Sequence, residues 1–304
     1  MDEGGLRAIV AAFLANLGIA AAKFVGFLFT GSASMLAEAI HSTADTTNQG
    51  LLMLGRRQAQ KPATPDHPFG YGRERFFWSF VVALVIFSFG ATFALVEGID
   101  KLRSPHEVDS VGWAIGILLF AMALEGYSFR TAIRESRPLK GTSTWWAFIR
   151  RSRVPELPVL LLEDFGALVG LGFALVGVVL AKVTGNGRFD AMGSIAIGTL
   201  LAAIATTLVI EMKSLLIGES ATPLQRRLIV QAIEAHDQTR HLIHMRTEHL
   251  GPEELLVGVK IEFVSGLTVP ALAMAIDSVE RSIRTAVPDA RVIYIEPDIF
   301  RATP

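Results

Sequence analysis

Glu38-Ala-Ile-His41-Ser-Thr-Ala-Asp45-Thr-Thr-Asn48-Gln49 lies inside an otherwise apolar run from Ser34 to Leu54. Such a run is long enough to cross a bilayer, which takes roughly 20 residues. Ionisable groups at that depth cost about 2.5 kcal/mol or more each on insertion scales, so a chain that keeps them uses them. Positions 38, 41, 45 and 48 follow the three-and-four spacing of a helix, which puts the polar groups on one face. His41 and Asp45 stand one turn apart. An imidazole and a carboxylate so placed form half of a tetrahedral site for a borderline cation such as zinc. The plainer alternative is that they pair with each other or with a neighbouring helix and only hold a bundle together. The other half of a site has to come from elsewhere in the chain.

Composition narrows the options. Of 304 residues, 51% are hydrophobic, more than an ordinary soluble globule carries. Lysine and arginine number 28 against 29 acidic residues, so no nucleic-acid partner is implied. There is no cysteine, which leaves His, Asp and Glu as the metal ligands. The first apolar stretch reads as a full-length span rather than a cleavable leader.

Read in order, the chain shows six apolar stretches at 6–29, 34–54, 76–97, 111–130, 157–183 and 191–216. The first carries Asn16 and Lys23. Between the second and third lies a turn-rich loop, Asp66-His67-Pro68-Phe69-Gly70-Tyr71-Gly72-Arg73-Glu74-Arg75, which reads as a structural turn leading into a helix, with a metal site at Asp66 and His67 as the alternative. The fourth holds Glu125, a proton-relay group or a buried partner for a cation. The stretch from Arg130 to Arg153 reads as a loop with seven basic residues against one acidic. By the positive-inside rule it is cytoplasmic, with Trp145 and Trp146 at the interface. Both termini are then cytoplasmic too, as an even number of spans requires. The fifth stretch holds Glu163-Asp164 near its start, then Gly166, Gly170, Gly172 and Gly177, small residues that let helices approach closely in lipid. Adjacent carboxylates differ by about 100° around a helix, so they do not point the same way. Either one is able to complete the site of His41 and Asp45.

After Gly218-Glu219-Ser220 the composition turns soluble in character. Thr222 to His236 reads as an amphipathic helix with Thr222 as its cap. Strands are expected at 242–248 and 255–263, a helix at 269–286 and a strand at 291–296. That order is a small α+β layer structure with helices on one face of a sheet. On these grounds a transporter is the first hypothesis. A membrane metalloenzyme would need a metal-plus-base arrangement such as His-Glu-x-x-His, which is absent. A receptor or sensor would leave the intramembrane His and acidic residues without purpose.

The chain resembles the cation diffusion facilitators (the cation efflux family), proton-coupled exporters of divalent metals. The resemblance is carried by Ala37-Glu38-Ala39-Ile40-His41-Ser42-Thr43-Ala44-Asp45, by His67-Pro68-Phe69-Gly70-Tyr71-Gly72-Arg73 and by Ile293-Tyr294-Ile295-Glu296-Pro297. Leu161-Leu162-Glu163-Asp164 is similar to the branch of the mitochondrial zinc transporters. It implies an α-helical membrane protein with six transmembrane helices over 1–217, then a ferredoxin-like cytosolic dimerisation domain over 218–304. It implies a homodimer in the cytoplasmic (inner) membrane, a metal/proton antiporter rather than an enzyme, with no prosthetic group.

By the same resemblance the transported divalent cation, Zn2+ as the favoured cargo and Mn2+, Fe2+ or Co2+ as the others, sits on His41, Asp45 and Asp164. Leu160 stands where the family has a fourth ligand, and Glu163 or water takes that place. Arg73 with Glu219 fits a basic–acidic interlock between the start of the third span and the end of the sixth. In the cytosolic domain His244 and Glu296 fall at family metal positions, but Lys260 and Tyr294 replace the other ligands. The domain is therefore expected to dimerise rather than to sense metal. His236, His241, His244 and His249 read as surface or sheet-edge residues.

Overall fold

The computed structural model describes residues 3–30, 33–104 and 111–301, with fourteen elements in the order given below. The chain forms two compact units, residues 1–58 with 75–213, and 59–74 with 214–304.

The first unit is helical: α1 (Glu3–Thr30), α2 (Ala33–Ala59), α3 (Glu74–Val81), a π-helical turn (Val82–Ile86), α4 (Phe87–Arg103), α5 (Val111–Lys140), α6 (Trp145–Arg151), α7 (Glu156–Thr184) and α8 (Arg188–Ile217). Each of the six apolar stretches lies in a long helix, the third in α3 to α4. Among the described residues, four helices are long and apolar enough to cross a membrane: Glu74–Arg103, Ile115–Lys140, Glu156–Thr184 and Arg188–Ile217; α1 contributes a shorter apolar segment, Ile9–Ala22. Large apolar side chains such as Phe89, Phe93, Val176 and Val183 are exposed on these helices, the outward surface expected against lipid. α5 packs on α7 and on α1, which also touches α7.

The stretch read as a basic loop is largely helical. α5 continues ten residues past its expected end, to Lys140, with Pro138 near its close. The reason is packing: Ala121, Glu125, Ser128, Ala132 and Ser136 are buried at three-and-four spacing, so the inward stripe runs on after the outward face turns basic. α6 then starts at Thr144, whose hydroxyl accepts from the Ala147 N–H at 3.2 Å. It buries Phe148 and Ile149 and leaves Trp145 and Trp146 exposed.

The second unit contains α9 (Pro223–Glu234), β1 (Thr239–Gly251), β2 (Glu254–Phe263), α10 (Val269–Ala286) and β3 (Ala290–Pro297), the expected α-β-β-α-β order. α9 opens with a capping box, Thr222 and Gln225 each satisfying the other's backbone N–H. The sheet runs β1-β2-β3, with β1 antiparallel and β3 parallel to the central β2. Leu255, Val257, Val259, Ile261 and Phe263 alternate inward along β2 and meet Ile229 and Ile233 of α9 and Ala275, Val279 and Ile283 of α10. β1 begins three residues earlier and ends three later than expected, because its pairing with β2 runs from Thr239 to Gly251.

The loop before α3 belongs to this unit. His67 is held in a turn with Thr64 and stacks on Tyr71 with ring centroids 4.5 Å apart. A Cβ on Gly72 would lie 2.8 Å from the Leu250 carbonyl oxygen, so only glycine fits against the end of β1. One expectation fails here: His249 is buried (1% exposed), not a surface or edge residue, because it lies at the covered end of β1, where its N–H donates to the Glu219 carbonyl. His241 is exposed, bonded to Glu262 at 2.7 Å and stacked on Phe300.

Candidate metal centre

A chain of buried polar side chains crosses the first unit from α1 through α2 to α7. Asn16 Nδ2 donates to Gln49 Oε1 at 3.3 Å, and Gln49 Nε2 donates to Glu163 Oε1 at 2.9 Å. Asn48 Nδ2 donates to the same Glu163 oxygen at 3.0 Å. On the next residue of α7, Asp164 Oδ2 accepts from Ser128 Oγ of α5 at 2.8 Å. The adjacent carboxylates thus diverge as helix geometry requires, Glu163 toward α2 and Asp164 toward α5. All six of these side chains are buried. Asp45 of α2 and Glu125 of α5 are near enough for their charges to act on Glu163, as does Asp164.

The hydrogen bonding is incomplete in a particular way. Glu163 Oε2, Asp164 Oδ1 and Asn48 Oδ1 are buried, and none has a hydrogen-bond partner among the described residues. Buried oxygens without donors are costly and rare. A buried carboxylate oxygen left open while its sister oxygen is fixed is a candidate ligand for a cation. Among the described residues, no three His, Asp or Glu side chains already stand together as a cage. The His41 side chain lies outside the described residues, as do those of Glu38 and Lys23.

Residues 9–217 match the cation efflux transmembrane domain. The chain belongs to the cation efflux family. It is similar to the mitochondrial proton-coupled zinc antiporter SLC30A9 of Mus musculus, 34% identical over 244 residues, covering 79% of this chain and 43% of the relative. It is also similar to metal tolerance protein C4 of Arabidopsis thaliana, 28% identical over 272 residues, or 88% of this chain and 59% of the relative. Magnetosome protein MamB of Magnetospira sp. (strain QH-2) is 25% identical over 291 residues, 93% of this chain and 92% of the relative. The chain spans less than half the length of the zinc antiporter relatives.

Of the residues expected in a cation efflux site, Asp45 and Asp164 each act by charge on Glu163, without the three forming a metal cage among the described residues. Leu160 is fully buried one turn before Asp164 and offers no donor atom. The interlock residue Arg73 pairs with Glu248 of β1. Glu219, the partner expected for it, reaches the same strand through its carbonyl, which accepts from the His249 N–H at 2.9 Å. At the expected metal positions of the small domain, Lys260 Nζ bridges Glu296 at 3.0 Å and Asp298 at 3.4 Å, with His244 opposite Lys260 on β1. The position expected to hold metal is thus filled by a side-chain ammonium. The hydrogen bond to Glu296 holds the Lys260 ammonium above its ordinary range, and the Ile299 N–H, with Lys260 beside it, holds Asp298 below the usual carboxylate range.

Sequence reasoning missed the partners. Asn48 and Gln49 were legible as polar residues in an apolar run, though nothing pointed them at Glu163. Ser128 carries no signal. Arg75 reads only as the end of the turn-rich loop and Glu156 carries no signal, yet they form a buried pair, Nε and Nη2 of the arginine donating to the two carboxylate oxygens, the second at 2.9 Å.

Proposed function

We propose that this chain exports a divalent metal cation across a membrane in exchange for protons, on a site built from His41, Asp45, Asp164 and Glu163. The observation that carries it is the pair of open oxygens, Glu163 Oε2 and Asp164 Oδ1, both buried on successive residues of α7 with their sister oxygens already engaged. Ligands must shed protons to bind metal, so loading and proton release are linked. His41 is the carrier whose ordinary range lies closest to neutrality. Rocking of the helices around a midplane site gives access to one side at a time, a carrier cycle with no covalent step.

The likeness to proton-coupled zinc antiporters makes zinc the favoured cargo. The missing donor at Leu160 and the oxygen-rich surroundings favour a second reading, in which manganese, iron(II) or cobalt is carried by the same fold, since ligand type and geometry decide selectivity. All six long helices cross the membrane in this proposal, with both termini cytoplasmic. The basic stretch 130–153, with seven basic residues against one acidic, supports that orientation. The second unit is a ferredoxin-like domain over 218–304 that joins two copies into a homodimer, its expected metal position occupied by Lys260 rather than by an ion.

The test is uptake into proteoliposomes under an imposed pH gradient, with zinc, manganese, iron(II) and cobalt in turn, comparing wild type with Asp164→Ala and Glu163→Gln. One metal moving in wild type, with both variants inactive, supports the four-residue site. Movement by Asp164→Ala removes it, and no movement of any metal removes the transporter.

A further inference from the structure

We propose that Asn48 is itself a ligand: its Oδ1 coordinates the transported cation, completing a donor set with Glu163 Oε2 and Asp164 Oδ1 where Leu160 brings nothing. The proposal rests on the α2–α7 centre being the cargo site. Asn48 is 2% exposed, and its two polar ends have different fates. Its Nδ2 donates to Glu163 Oε1 at 3.0 Å, and its Oδ1 has no hydrogen-bond partner among the described residues. The orientation of the amide follows from its neighbour. A carboxylate oxygen only accepts, so the amide turns its nitrogen toward Glu163 and leaves its oxygen open.

Asn48 lies one turn beyond Asp45 and two turns beyond His41, on the same face of α2. The amide bond to Glu163 sets its side chain beside the carboxylate whose other oxygen is open. Gln49, its neighbour, has no such open oxygen: its Oε1 accepts from Asn16 and its Nε2 donates to Glu163. The two amides therefore divide the work. Gln49 is tied at both ends and holds Glu163 in place, whereas Asn48 holds Glu163 with one end and presents an oxygen with the other. A carboxamide oxygen is a neutral, hard donor of the kind that suits manganese more than an imidazole does. Adding it moves the site from a nitrogen-and-carboxylate set toward an oxygen set without adding charge to a region that already holds several carboxylates.

The competing explanation is that Asn48 serves only through Nδ2, as a clamp on Glu163. Aspartate separates the two roles, because Asn48→Asp keeps the oxygen and loses the N–H donor, whereas Asn48→Leu loses both. The measurement is zinc and manganese affinity of the purified full chain in detergent, by competition with a fluorescent chelator. We expect Asn48→Leu to weaken both metals by about tenfold or more, the scale seen when a group around a metal is removed. Manganese should lose more than zinc, and Asn48→Asp should bind within about threefold of wild type. Asn48→Asp binding as weakly as Asn48→Leu overturns the proposal in favour of the clamp, and so does wild-type affinity in Asn48→Leu. Should Asn48→Leu not fold, Asn48→Asp decides alone: retained affinity supports the ligand and lost affinity overturns it. Asp164→Ala, measured alongside, keeps the two levels apart. If it binds both metals as wild type does, the cargo site itself has been misplaced and Asn48 falls with it.

Discussion

Glu156 and Asp164 lie on the same helix, two turns apart, and each is about 1% exposed. Their circumstances are opposite. Glu156 has both oxygens taken by the guanidinium of Arg75. Asp164 has one oxygen fixed by a serine and the other open. Burial alone therefore does not mark a working carboxylate, and neither does charge. What separates the two is whether the protein supplies its own cation. The Lys260 group of the second unit falls on the Glu156 side of that division, for its carboxylates already share an ammonium.

The contrast breaks most sharply under alanine. Asp164→Ala should abolish metal uptake in proteoliposomes while the protein's thermal midpoint holds or rises, because an unsatisfied buried oxygen is removed. Glu156→Ala should do the reverse in kind. It removes the carboxylate that takes both Nε and Nη2 of a buried arginine, a loss of about 3–5 kcal/mol, and should be read as a lower thermal midpoint and poor yield. Replacing both partners, Arg75→Leu with Glu156→Leu, should recover most of that loss, since a buried pair exchanged for apolar groups is often neutral. If Glu156→Ala were stable yet transport-dead, the division between the two carboxylates would be wrong.

A smaller effect sharpens the same contrast in the second unit. In an Asp164→Ala background, Lys260→Ala should create weak zinc binding at Glu296 and Asp298, detectable by calorimetry and absent while the lysine remains. The smallest effect is in pH. Asp298 is held below its ordinary range, so its contribution to stability is complete above about pH 4, the usual Asp value, and is lost as pH falls through the depressed value. For Lys260, raised above its ordinary range, the contribution is complete below about pH 10 and is lost as pH rises through the raised value. Lys260→Met should lower the middle of a stability-against-pH curve for the second unit, remove its alkaline limb and only soften its acid limb, because the Ile299 N–H still holds Asp298.

How much of this was readable beforehand depends on the range of the interaction. The helices and the order of the small sheet follow local signals: hydropathy, the Thr222 cap, the alternation along 255–263. The end of α5 is not legible in the same way: the charges from Arg130 suggest a stop, whereas the buried small and polar face through Ser136 keeps the helix going. The carboxylates at 163 and 164 stood out because charge in an apolar run is conspicuous. Their partners did not, since Asn48 to Glu163 is a contact across 115 positions and no spacing rule reaches that far. The same holds for Arg75 with Glu156, and for Arg73 with Glu248. Open oxygens are less legible still, being defined by what fails to meet them.

The seam between α4 and α8 has a mechanical consequence. A Cβ on Gly98 would stand 2.9 Å from the Ile195 nitrogen, and one on Gly198 would stand 2.9 Å from the Leu95 nitrogen. Each helix thus carries a notch that receives the other's backbone, and Lys101 pins the same seam to Asp190 at 3.2 Å. Two reciprocal notches work like a dovetail joint. They resist sliding along the axis and rolling about it, so α4 and α8 travel as a single lever. A movement that carries one should carry the other, and the α7–α8 seam is notched in the same way, a Cβ on Gly177 or Gly193 standing 3.1 Å from the carbonyl oxygen of Phe189 or Phe173.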